Sequence, residues 1–87
     1  MLSQKIIISN KSGLHLRPAS ELSKIAINCK SNITIIKEDK RVNPKSILNL
    51  MNAGIKYGDE ITIECSGDTE EQDFSIIVNY ILGSPKE

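Results

Sequence analysis

The chain holds one histidine in 87 residues, and it stands in the run Gly13-Leu14-His15-Leu16-Arg17-Pro18. An imidazole can attack phosphorus as a neutral nucleophile near pH 7 and later release the group. That chemistry needs a cation and free N–H donors beside the ring. Arg17 offers a guanidinium fork matched to phosphate oxygens. Ala19, Leu22, Ala26 and Cys29, with Ile25 beside them, recur at helical spacing and predict a helix from near Leu16 to near Asn28. His15 then falls at its N-terminus. There the first N–H groups lack partners and the dipole adds positive potential, which favours an anion. The same potential disfavours the imidazolium form. Pro18 suits the first turn because its missing N–H costs nothing there. Gly13 allows a tight turn and a close backbone approach. His15 and Arg17 are therefore the candidate reacting pair, with Ser12, Gly13, Leu16 and Pro18 forming the phosphate-holding helix start. A lone histidine at a helix start is more often a surface or capping residue; it is the neighbours that favour chemistry here.

Ser46 is the second candidate. As a plain N-cap it contributes about 1 kcal/mol. As a phosphosite it would carry a new dianion at a helix start, altering surface charge without unfolding the chain. The residues after it, Ile47, Leu48, Leu50 and Met51, are apolar on too many sides for one sheet to cover. Leu50 is the best core candidate. Ile47, Leu48 and Met51 would leave an exposed docking patch. Ser20, Lys24 and Ile27, opposite the core on the first helix, extend it; for Ile27 a stray surface residue is the plainer reading.

The elements that must position these groups follow from periodicity. Strands are predicted at Lys5–Ser9 and Asn32–Lys37, with a short return at Lys40–Asn43 around Glu38-Asp39. Ser46 opens a short helix that Gly54 stops. Glu60–Ser66 alternates, with Ile61, Ile63 and Cys65 on one side, as a half-buried strand does. Thr69 to Gln72 has the capping-box pattern and opens a last helix with Phe74, Ile77, Val78 and Ile81 on one face, ended by Gly83-Ser-Pro85. The order β-α-β-β-α-β-α predicts an α+β fold: an open-faced two-layer sandwich with a four-stranded antiparallel sheet and three helices on one face. The first and third helices should form the main cover. Residues 1–87 read as a single domain.

Composition removes several function classes. Eleven basic and eleven acidic residues give zero net charge, which excludes a general nucleic-acid binder. Tyr57, Phe74 and Tyr80 are too few for a base-stacking platform. Cys29 and Cys65 form no CxxC, and with one histidine they make no metal set. Two free buried thiols are expected rather than a disulfide. No cofactor and no membrane insertion are expected, and the N-terminal apolar run is too short for a signal peptide. A cytoplasmic monomer is the expectation.

Gly13-Leu14-His15-Leu16-Arg17-Pro18-Ala19 resembles the active-site motif of the HPr family, the histidine phosphocarriers of the bacterial phosphoenolpyruvate:sugar phosphotransferase system. The resemblance spans the chain: Lys45-Ser46-Ile47, Gly54 and Gly58-Asp59-Glu60-Ile61-Thr62-Ile63 fall where that family has them. It implies that enzyme I phosphorylates His15 on Nδ1, that Arg17 steadies the group, and that EIIA domains of sugar permeases receive it. Such a protein is a carrier and not an enzyme. The resemblance also implies an open-faced β-sandwich with three helices. It implies phosphorylation of Ser46 by an HPr kinase/phosphorylase, with a catabolite-control transcription regulator as a further partner. Two positions depart from the pattern. Leu16 stands where Ala or Thr is usual, and Glu38-Asp39 replaces an Asn-Gly-like hairpin turn. The alternatives are a regulatory HPr-like adaptor centred on Ser46, or a phosphocarrier of a nitrogen branch without sugar transport.

Overall fold

Alternation decides the sheet. In the strand Glu60–Ser66, Ile61, Ile63 and Cys65 are buried, while Glu60 and Ser66 are exposed and Thr62 and Glu64 half-exposed. The computed structural model describes residues 1–9, 13 and 16–83, with the side chain of Leu16 left aside. Its elements in chain order are β1 (Leu2–Ile7), α1 (Leu16–Asn28), β2 (Asn32–Lys37), β3 (Lys40–Val42), α2 (Ile47–Asn52), β4 (Glu60–Ser66) and α3 (Glu70–Leu82). The strands lie in the order β1-β4-β2-β3, antiparallel throughout. The last strand in the chain is thus an inner one, with Ile6 opposite Ile61 and Ile35 opposite Ile63. The architecture is the expected open-faced sandwich, with α1 and α3 packed together and α2 beside α1.

One apolar layer fills the space between sheet and helices. The sheet contributes Ile6, Ile33, Ile35, Val42, Ile61, Ile63 and Cys65, with Ile8 just beyond β1. Ala19, Leu22 and Ala26 of α1, Leu50 of α2, and Ile77, Val78 and Ile81 of α3 meet them. Small alanines on α1 let that helix lie close to the sheet. Cys29 and Cys65 are both free and buried, and burial pushes both thiols up.

The bounds of α1, β2 and β4 agree with the sequence pattern, and other local details differ. β1 begins earlier than the expected Lys5, because pairing with β4 continues to Leu2 opposite Cys65 and recruits Ser3 and Gln4 despite their weak strand preference. Ser9 lies beyond it, and β3 stops at Val42. The capping box does not form. The Thr69 side chain makes no cap bond; its hydroxyl donates to Asp73 Oδ2 at 2.7 Å. Finally, the two-residue turn between Lys37 and Lys40 puts Glu38 at φ +57°, a left-handed conformation that a side chain makes costly.

Asp73 was not singled out by the sequence. It is buried, and its Oδ2 also accepts the Ser31 N–H at 3.0 Å and the Ser31 hydroxyl at 2.6 Å. The Ser31 and Thr69 hydroxyls hold its carboxyl down at about 2. These bonds fasten the start of α3 to the segment entering β2.

Candidate functional site

The site begins where Gly13 meets the loop after α2. Gly13 has φ +66°, and a β-carbon there would lie 2.6 Å from the Ile55 oxygen and 2.9 Å from Lys56 Cα. Only glycine allows this backbone-on-backbone approach. Gly13, ahead of α1, therefore rests on residues 55–56, and what holds those residues holds its seat.

Two strand ends and Asp59 hold them. Just past β1, Ile8 exchanges two bonds with the loop: its N–H donates to the Asp59 carbonyl at 2.9 Å, and Gly58 N–H donates to the Ile8 carbonyl at 2.9 Å. The end of β2 sends Lys37, whose ammonium donates to the Gly54 carbonyl at 2.7 Å and pairs with Asp59 Oδ2 at 2.9 Å. Asp59 Oδ2 also accepts the Lys56 N–H at 2.8 Å. The Lys37 hydrogen bond, then the Lys56 amide, lower the Asp59 carboxyl below its ordinary range. Lys37 and Asp59 are thus buttresses that sequence reasoning missed. The Gly58-Asp59 turn was a visible signal; Lys37 carried none.

At the start of α1, Arg17 is exposed and Pro18 buried. Ser12, Leu14 and His15 lie outside the described residues, as does the Leu16 side chain. One turn beyond Arg17, the Glu21 carboxylate accepts the Tyr80 hydroxyl of α3 at 2.6 Å. Burial first, and then this bond, push the Tyr80 phenol up to about 12, while the Arg17 charge opposes the rise. This contact too was missed: two polar residues 59 positions apart give no local pattern.

The docking candidates fall largely on the surface. Ile47, Leu48 and Met51 are exposed, and Leu50 is buried as its spacing predicted. On α1, Lys24 and Ile27 are exposed and Ser20 half-buried. Ser46 is the N-cap of α2, its Oγ accepting the Asn49 N–H at 3.2 Å. Behind it, Lys45 is braced on both sides. Its carbonyl accepts the Ser23 hydroxyl at 3.1 Å and its ammonium donates to the Ser31 carbonyl at 3.1 Å. Among the described residues, no three His, Cys, Asp or Glu side chains cluster as metal ligands, and no helix is long and apolar enough to cross a membrane.

Residues 2–82 match the family model described as "PTS HPr component phosphorylation site". The phosphocarrier protein HPr of Mycoplasma capricolum is 51% identical over 76 residues, covering 87% of this chain and 85% of that protein. The HPr-like protein Crh of Bacillus subtilis is 32% identical over 81 residues, covering 93% and 95%. Among solved structures, HPr-C-His from Thermoanaerobacter tengcongensis superposes with a TM-score of 0.90 at 36% identity, covering 95% of this chain and 93% of that one.

Proposed function

The chain belongs to the HPr family of phosphocarrier proteins, and from that premise we propose that His15 is its phosphoryl acceptor and Arg17 the clamp on the phosphoryl oxygens. The reading is carried by the seating of Gly13: it rests on residues 55–56, three positions before a helix that begins at Leu16 and bears an exposed Arg17. A dianionic phosphoryl group on the imidazole gains from free amides, the helix dipole and the guanidinium together. Ser12, Gly13, Leu16 and Pro18 shape that helix start. Enzyme I donates, EIIA domains of sugar permeases accept, and the chain acts as a cytoplasmic monomer with residues 1–87 as one domain.

Exposed Ile47, Leu48, Met51 and Ile27, with Lys24 and Ser20, form the docking surface in this reading. Ser46 sits at its edge and serves as the control point for an HPr kinase/phosphorylase, with a catabolite-control regulator reading the phosphorylated form. The adaptor alternative would make Ser46 the main event, yet it leaves the imidazole at position 15 without a purpose. Incubation with phosphoenolpyruvate and enzyme I should place one acid-labile phosphate on the protein and none on His15→Ala. Equal labelling of His15→Ala, or no labelling of the wild type, rejects the assignment. ATP with the kinase should give an acid-stable phosphate that Ser46→Ala lacks.

A further inference from the structure

Lys37 at the end of β2 and Asp59 in the loop after α2 clamp the stretch of chain on which Gly13 rests. Ile55 is buried in the core, which fixes one half of that seat. The other half, Lys56, is exposed, and its N–H is tied to Asp59 Oδ2 at 2.8 Å. The same oxygen pairs with the Lys37 ammonium at 2.9 Å, and that ammonium donates to the Gly54 carbonyl at 2.7 Å. Both charged side chains are half-buried and each makes two bonds. They form one polar unit bracketing residues 54–59, where an isolated surface pair would contribute little. The seat has no slack, because a β-carbon at Gly13 would already run into Ile55 and Lys56. His15 follows Gly13 by two residues, so a shift of the seat has only two planar peptide units through which to reach it.

We infer that Lys37 and Asp59 are positioning residues for phosphoryl uptake: by fixing residues 54–56 they set where Gly13 sits, and with it how position 15 is presented to the phosphoryl donor. The inference rests on the assignment of His15 above. The pair acts through the backbone, so it governs how fast a bound carrier reacts and not how tightly it binds. Lys37→Met keeps the aliphatic stem and removes both bonds of the ammonium. Asp59→Ala reaches the same unit from the other side and also releases the Lys56 N–H. Lys37→Arg keeps a cationic donor in place.

The test is steady-state phosphorylation by phosphoenolpyruvate and enzyme I with this protein as the varied substrate, read well below the melting temperature of each variant. Lys37→Met and Asp59→Ala should each lower turnover at saturation about three- to tenfold with KM little changed, since small misplacements of a reacting group cost rate steeply. Lys37→Arg should recover most of the loss. On a Gly13→Ala background, where the seat is already displaced, Lys37→Met should add no further loss. Arg41→Met is the control: it breaks a comparable ion pair, Arg41 to Glu64 at 3.0 Å between β3 and β4, and should turn over as the wild type does. Wild-type turnover in both Lys37→Met and Asp59→Ala overturns the inference. So does a raised KM at unchanged turnover, which would make the pair a docking contact. An equal loss in Arg41→Met, or a full further loss on the Gly13→Ala background, overturns it too, because the effect would then not run through the seat. His15→Ala separates the two levels. If it is labelled as the wild type is, the acceptor assignment fails and this inference falls with it. If it stays unlabelled while Lys37→Met turns over normally, only the positioning role is rejected.

Discussion

Gly13 and the Ile55 carbonyl are in backbone contact, with 2.6 Å as the distance a β-carbon would have to tolerate. Substitution by alanine meets two penalties. The left-handed φ alone costs about 1 to 2 kcal/mol for an L-residue. The clash with Ile55 and Lys56 then forces residue 13 off its seat. Gly13→Ala should lower thermal stability by at least that amount and slow phosphoryl uptake from enzyme I. Uptake at the wild-type rate would show that this seating does not position the acceptor.

Asp73 predicts an acid limb of stability. Its carboxyl stands at about 2 in the fold, against an unfolded value near 3.8. A lowered carboxyl stabilises the fold above its unfolded value, and that contribution is lost as pH falls from about 4 through about 2. The shift corresponds to roughly 2 kcal/mol. Asp73→Asn should be less stable at pH 7 and should lose less further stability between pH 5 and pH 2. Urea unfolding at several pH values reads both quantities.

Glu38 offers the reverse experiment. Glycine accepts φ +57° without the β-carbon penalty, so Glu38→Gly should stabilise the β2–β3 turn by up to about 1 kcal/mol. Its exposure keeps other losses small. A drop in melting temperature would show that glycine's extra freedom in the unfolded chain outweighs the relief of strain.

Leu48 tests the docking surface without touching the core. It is 72% exposed, so Leu48→Lys should leave unfolding within about 0.5 kcal/mol of the wild type. Labelling by enzyme I should slow through a weaker encounter. An unchanged rate, measured below saturation, would exclude Leu48 from the contact.

How legible these features were in the sequence depends on their range. α1, β2 and β4 were legible to the residue because their apolar positions repeat at one period and the neighbouring turn residues stop them. Leu50 was separable from Ile47, Leu48 and Met51 because a short helix can bury only one edge against a sheet already covered by two longer ones. The proposed chemistry was equally local, six residues in a row. What escaped was long-range and polar. Asp73 reaches Ser31 across 42 positions, and Lys37 reaches Asp59 across the sheet end. In each case the lone residue looks like ordinary surface charge until the fold brings its partner. β1 was misjudged for a related reason: its first residues are strand only because β4 lies beside them. At the start of α3 the Thr69 hydroxyl binds Asp73 and makes no cap bond, which the Thr69–Gln72 spacing alone does not reveal.

The strand order has a consequence for how the molecule is made. β1 is synthesised well before β4, at residues 60–66, yet among the described residues β4 is its one partner in the sheet. β2 and β3 can pair early as a hairpin, but the gap between them and β1 stays open until most of the chain has been synthesised. Gly13 cannot find its seat before then either, since residues 55–56 come just ahead of β4. A nascent chain that lacks residues 55–66 therefore has no seat for Gly13, and the competence for phosphate proposed above would arrive with the last strand rather than grow along the chain.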